Sequence, residues 1–263
     1  MGIDVRFIEP GQRPEFRTLV LRAFAGSEDH DDALEERFEA TFRNEFCVGA
    51  FDGSQMVGTL SSFDFNLSVP GGQVPTAGTT IVSVAPTHRR RGILGQLMGA
   101  HLDQAREQRR PCAALWATQW QIYGRFGFGA AASISEVRFD TRRVTFAGPE
   151  PGVSIRLVDA EEAAELVPPV FERAFATRPG MHSRDPAWWK HRVFLDHKVH
   201  RDGMSRLRWV LAERGEDVVG YAAYRQKGGW DEVGGDGKVS IVEAMPTDDA
   251  SRRALWHYLA NID

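Results

Sequence analysis

Apolar residues recur at helical spacing just after Pro14, where Phe16, Leu19, Val20, Ala23 and Phe24 share one face of a helix opened by the proline. A second, acidic helix is predicted over residues 32–42. The period then shortens to that of strands. "EFCVGAF" and "QMVGTLSSFDFNLSV" flank the turn signal "DGS", and "VPTAGTTIVSVA" follows "PGG", which predicts an antiparallel meander of three strands. From 91 to 108, Ile93, Leu94, Leu97, Met98 and Leu102 make one helical face. A short buried strand "CAALWA", a short helix near "WQIYGRF" and a further strand "SISEVRFD" follow. This order describes an α/β (α+β) fold, a mixed sheet flanked by helices. "TFAGPEPGV" reads as the linker that ends a first domain, 1–147, before a second, 148–263.

The second half repeats the first. "VGAFDGSQMVG" (48–58) and "VLAERGEDVVG" (210–220) share Val48/Val210, Ala50/Ala212, Gly53/Gly215, Val57/Val219 and Gly58/Gly220, each pair 162 residues apart. "IVSVAPTHRRRG" (81–92) aligns with "IVEAMPTDDASR" (241–252) at an offset of 160, a shift that one loop deletion would produce. Duplication of one fold accounts for both matches. The copies differ at the turn: Arg89, Arg90 and Gly92 in the first become Asp249, Ala250 and Arg252 in the second.

Composition narrows the function. A formal net charge of −4 removes a general electrostatic case for nucleic-acid binding, so any basic site is local. No window approaches the roughly 20 apolar residues of a membrane span, and no membrane association is expected. The N-terminus has no basic segment followed by an apolar one, and Cys47 and Cys112 both sit in apolar runs. Together these read as a cytoplasmic protein with two buried, reduced thiols.

The local basic site is "APTHRRRG". A strand that turns through it into a helix brings backbone N–H groups and a helix N-terminus together beside arginine side chains, an arrangement that binds phosphate. Gly92, with no Cβ, lets a ligand approach the backbone. The alternative is a solvated basic helix start, though arginine there has the wrong sign for the helix dipole unless an anion lies between.

These residues carry a resemblance. "VSVAPTHRRRGILG" is similar to the acetyl-CoA pyrophosphate loop of the GNAT N-acetyltransferases, with Arg89, Gly92 and Leu94 on the core pattern Arg/Gln-x-x-Gly-x-Gly/Ala, the last position departing from it. Together with "ALWATQWQIYGRFGFG" it resembles more narrowly the Eis (enhanced intracellular survival) group. Members are acetyltransferases of aminoglycosides and other amines, with two GNAT domains and a C-terminal sterol-carrier-protein-like domain. The resemblance implies tandem GNAT folds, the second degenerate, with acetyl-CoA as co-substrate and no metal. It implies that Val82, Ser83 and Val84 pair with the pantetheine arm, that Arg90, Arg91, Gly92, Ile93, Leu94 and Gly95 hold the pyrophosphate, and that Thr118 and Gln119 touch the cofactor. Tyr123 matches the general acid. It also implies a homo-oligomer, hexameric in the group. The third domain is absent from this sequence, which stops at "LWHYLANID". A truncated version is the expectation, and Asp263 is not given the role of the group's C-terminal carboxylate base.

The chemistry of Tyr123 stands partly alone. Amine acetylation expels a thiolate whose conjugate acid has a pKa of about 8.5, and a phenol near 10 can protonate it if it is close. The alternative for Tyr123 is a structural anchor before "GRFGFG", itself read as packing and turn chemistry. Glu28 and Asp29 belong to an acidic cluster with Asp31, Asp32, Glu35 and Glu36 that would attract polycationic amines such as aminoglycosides, or else forms a solvated helix start. Phe24 could wall the substrate. A protein or peptide lysine, or a CoA-binding scaffold without turnover, are the alternatives to a small polyamine substrate. His191, His197 and His200 read as a polar loop, and "DPAWWKHRV" as a docking helix with Asp185 as N-cap.

Overall fold

The structure, a computed structural model, describes residues 2–262 apart from 146, 147, 149, 232 and 233. The expected domain limit at 147 and Asp263 lie outside the described residues. The chain forms two compact units, one running to Ser133 and including Gly180–His191, the other comprising Ile134–Pro179 and the residues from Arg192 onward.

The first unit contains β1 (Ile3–Phe7), α1 (Arg13–Ala23), α2 (Asp32–Thr41), β2 (Val48–Asp52), β3 (Gln55–Val69), β4 (Gly72–Val84), α3 (Ile93–Glu107) and β5 (Cys112–Leu115). Its sheet runs β1-β2-β3-β4-β5, antiparallel except between β4 and β5. Alternation along β2 and β3 divides the core in two. Phe51 and Met56 face α1 and α2, where Phe16, Val20, Phe38 and Phe42 pack. Val48, Ala50 and Val57 face α3, against Ile93, Leu97 and Met98. Gly58 is where α3 comes closest: a Cβ there would lie 3.2 Å from Leu97 Cδ1 and from the Ser83 carbonyl oxygen. In the segment 180–191, Ser183 N–H donates to Asn66 O and Ser68 N–H to Met181 O, which ties it to β3. A helical turn α5 (Pro186–Trp188) follows, capped by Asp185 through the Trp188 N–H and leading into a π-helical turn, Trp189–Phe194; the Trp188 ring stands edge-on to Phe63.

The second unit has β6 (Ser154–Val158), α4 (Ala160–Thr177), β7 (Arg208–Arg214), β8 (Asp217–Lys227), the two-residue strands β9 (Trp230–Asp231) and β10 (Gly234–Gly235), β11 (Lys238–Pro246) and α6 (Asp249–Ala260). Its main sheet runs β11-β8-β7-β6, and α6 packs Leu255 and Leu259 on Val210, Ala212 and Ala222. The duplication is visible in three dimensions as β2-β3-β4-α3 and β7-β8-β11-α6, with Gly53 and Gly215 sharing a φ of +62° in the hairpin turns. No helix among the described residues is long and apolar enough to cross a membrane.

Four expectations change. The chain opens on a strand, β1, rather than on a helix. "SISEVRFD" forms no strand: Ile134, Val137 and Phe139 are exposed. Ile134 and Val137 are an odd number of residues apart, so a strand there would have no uniformly apolar face. Cys112 is exposed, because β5 is the sheet's edge; Cys47 is buried beside Ser61.

The fourth concerns the alignment of the copies, which is not a single offset of 160 beyond the strand. Ala85 N–H donates to Val57 O and Thr247 N–H to Val219 O, the same bond 162 residues apart. Leu97 lies over Gly58 and Leu255 over Gly220, which are 158 apart. The strand-to-helix connection is therefore four residues longer in the first copy. The sequence match had averaged across that difference.

Candidate functional site

The extra residues make the site. β4 pairs with β5 only from Thr76 to Thr79, yet runs on to Val84, so along 80–84 it has no strand neighbour on that side among the described residues. That edge can accept an extended ligand as an added strand. A bulge shapes it: Thr59 opposes Ser83 and Ser61 opposes Thr80, leaving Ile81 and Val82 against Leu60 alone, with Ile81 at φ +43°. Thr59 Oγ1 donates to the Ile81 carbonyl at 2.9 Å, so Ser83 Oγ, 2.7 Å away, donates to Thr59. The buried hydroxyl pair thus satisfies the carbonyl at the bulge.

Past Ala85 the chain turns through Pro86–His88, passes Arg90 at φ +63°, and reaches Gly92 at φ +77°, the N-cap of α3. No side chain caps this helix, whereas Asp31, Asp159 and Asp248 cap α2, α4 and α6. The first intrahelical bond runs from Gln96 N–H to Gly92 O, so the N–H groups of Ile93, Leu94 and Gly95 have no acceptor within the helix. Gly92 also has open space where a Cβ would stand.

A cavity of about 790 Å³ lies between this loop, the free edge of β4 and the turns after β5. Val82, Ser83 and Val84 line one wall; Arg90, Gly92, Ile93, Leu94 and Gly95 form the loop side. Thr118, Gln119 and Tyr123 line the opposite side, and Phe24, at the end of α1, reaches the rim. Arg91, Glu28 and Asp29 do not line it. Arg91 Nη1 instead reaches Asp52 at 3.5 Å, Glu28 pairs with Arg22 at 2.8 Å, and Asp29 accepts from Ser27 Oγ.

His88, Arg89, Arg125 and Phe126 also line the cavity. Arg125 was hidden in "GRFGFG", whose glycines drew the reading toward turn chemistry; its guanidinium lies 4.9 Å from the Phe126 ring centre. Among the described residues, Arg89, Arg90 and Arg125 have no carboxylate partner, so three unpaired cations and an uncapped helix N-terminus share one cavity. That arrangement holds phosphate groups.

Tyr123 is half-buried, edge-on to Phe128 with ring centres 5.9 Å apart, and its hydroxyl has no hydrogen-bond partner among the described residues. Burial pushes its pKa up, so the phenol is protonated at neutral pH and able to donate. Among the described residues, no group of three or more His, Cys, Asp or Glu side chains could hold a metal ion.

The second copy keeps an open edge, since β11 ends its sheet, but lacks the long loop, the uncapped helix and the cavity. Its shorter connection lets α6 begin at Asp249, two residues before the position equivalent to Ile93, capped by Asp248, whose carboxyl the Ser251 N–H and Arg214 hold at about 2. The adjoining hollow, lined by Pro246, Arg252 and Trp256, is about 10 Å³.

Comparison with known proteins gives the family. Two models, each described as an acetyltransferase (GNAT) domain, match residues 4–131 and 180–263. An uncharacterised N-acetyltransferase of Streptomyces coelicolor is 39% identical over 273 residues, covering all of this chain and 65% of the relative. The N-acetyltransferase Eis of Mycobacterium tuberculosis is 34% identical over 221 residues, covering 82% of the chain and 52% of the relative. Among solved structures, Eis1 of Mycobacterium abscessus superposes with a TM-score of 0.79 at 28% identity, over all of this chain and 63% of that one. The chain spans 64–65% of the length of the Streptomyces relatives.

Proposed function

The chain belongs to the GNAT acetyltransferases, in the group that includes Eis, and from that premise we propose that its first unit transfers the acetyl group of acetyl-CoA to a primary amine. The observation that carries this reading is the coincidence, in one cavity, of an open strand edge, three unpaired arginines, an uncapped helix N-terminus and a protonated tyrosine.

The residues fit the co-substrate. The free edge at Val82–Val84 suits the amide groups of a pantetheine arm, and the N–H groups of α3 with Arg89 and Arg90 suit a pyrophosphate. Acetyl-CoA supplies a thioester. The neutral amine adds to its carbonyl carbon, the C–S bond of the adduct breaks, and Tyr123 gives its phenolic proton to the departing thiolate while the new N–C bond is retained. The nitrogen of the adduct gives up one proton, which restores the Tyr123 phenol, so amine and thioester become amide and thiol with atoms and charge balanced. The substrate class in this reading is a small polycationic amine such as an aminoglycoside. Six carboxylates from Glu28 to Glu36, offset in part by Arg22 and Lys190, leave that end of the unit acidic. We also read the protein as a homo-oligomer, to which exposed Trp116 and Trp120 would contribute.

The test follows thiol release with acetyl-CoA and a panel of aminoglycosides, polyamines and lysine peptides. Tyr123→Phe should lower kcat about 100-fold, in the range of general acid catalysis, while calorimetry shows unchanged CoA affinity. Equal turnover in the variant removes Tyr123 from the mechanism, and turnover of peptides alone removes the polyamine.

A further inference from the structure

Asp52 ends β2, lies outside the cavity and is one-third exposed, yet it touches the anion loop at two points. Its Oδ2 accepts from His88 Nε2 at 3.2 Å and faces Arg91 Nη1 at 3.5 Å. Because a carboxylate only accepts, Nε2 carries the hydrogen, and Nδ1 is left to Thr87 Oγ1 at 2.8 Å. The loop between these two attachments contains Arg89 and Arg90, and Arg90 is held in a left-handed conformation that a non-glycine residue adopts at a cost. Strain of that kind persists only where neighbouring contacts fix it. Asp52 supplies contacts on both sides, and Arg91, which it faces, is the one arginine of the three that does not line the cavity.

The second copy is the control that the chain itself provides. The residue equivalent to Asp52 is Arg214, which likewise reaches the strand-to-helix connection, pairing with Asp248 at 2.8 Å. One hairpin position therefore anchors the connection in both copies, with opposite charge. Where it is basic, it holds the carboxylate that caps the helix and closes the site. Where it is acidic, it holds basic residues of the longer loop and leaves the N-terminus of α3 uncapped.

We infer that Asp52 is a positioning residue for phosphate binding: it fixes the Arg89–Gly92 loop through His88 and Arg91 without touching the ligand. This rests on the reading of the cavity as a CoA site. It also runs against simple electrostatics, since removing a carboxylate near a phosphate site should tighten binding.

The experiment measures, by calorimetry on the full chain, the affinities of CoA and of pantetheine, which lacks the phosphates, together with the thermal midpoint. Asp52→Asn should weaken CoA about tenfold, the value of one charge-assisted hydrogen bond, and leave pantetheine within twofold. The KM for acetyl-CoA should rise by the same factor with kcat at saturation unchanged, and Asp52→Glu should recover part of the loss. Arg91→Ala, at a residue outside the cavity, should reproduce the selective effect and serves if Asp52→Asn unfolds. Equal weakening of both ligands would make Asp52 merely structural, and unchanged or tighter CoA binding would overturn the inference. A wild-type protein that does not prefer CoA over pantetheine would instead overturn the cofactor reading beneath it.

Discussion

His101 is 1% exposed on α3, with Nε2 2.7 Å from Thr79 Oγ1 on β4. Burial, reinforced by the charge of Arg110, lowers its pKa from 6.5 to about 4. The unfolded chain therefore takes the proton first. Stability due to the neutral ring is intact above about pH 6.5 and falls as the pH drops from there toward 4, by on the order of 3 kcal/mol. The second copy shows that the fold does not need the pair, because its equivalents are Leu259, in the core, and Ile241, partly buried against it. The double variant Thr79→Ile/His101→Leu should thus fold and resist acid better than the wild type between pH 6.5 and 4.5. Urea titrations at several pH values measure this, and parallel pH slopes for the two proteins would contradict it. Nothing in the helical period of α3 distinguishes His101 from its apolar neighbours, so the residue could not be singled out from sequence.

At the scale of elements, what separates the copies is seven residues, Pro86–Gly92, in place of three, Asp248–Ala250. A chimera with Asp-Asp-Ala at 86–92 gains a capping carboxylate, worth about 1 kcal/mol, and loses the left-handed Arg90. It should melt at or a few degrees above the wild type while losing CoA binding. Retained binding would show that the loop is not the determinant. The same comparison explains which parts of the fold were legible. β3, β4 and α3 were read nearly to their ends, since long strands with turn glycines and a helix with Leu97 and Met98 on one face announce their period. β1 is only five residues long, too short for its alternation of Ile3, Val5 and Phe7 with Asp4 and Arg6 to stand out, and it gains its stability from pairing with β2. "SISEVRFD" was over-read because β-branched and aromatic content was counted without asking whether those residues share a face. In the site, the motif located Arg90 and Gly92 but not the divergence of β4 from β5, which depends on register. Nor did it give the outward turn of Arg91, which depends on Asp52, 39 residues away.

At the scale of the whole chain, duplication predicts a number. If both copies kept the anion loop, two acetyl-CoA molecules would bind; the second unit has a capped helix, an Arg214–Asp248 pair and a hollow with room for about one water molecule. Titration calorimetry should give one CoA per chain. Changing Arg89 and Arg90 together to glutamate should abolish the heat, since two charge reversals beside a pyrophosphate replace attraction by repulsion in a cavity partly shielded from water. The variant should keep the wild-type thermal midpoint, because neither arginine has a carboxylate partner to lose among the described residues. A stoichiometry of two would mean that the second copy binds through some other surface. A residual single site in the glutamate variant would place the phosphates elsewhere than on the loop. The loss of binding should also be the same whether or not amine is present, because the six acidic residues at 28–36 belong to α2 and the segment before it, not to the loop that holds the phosphates.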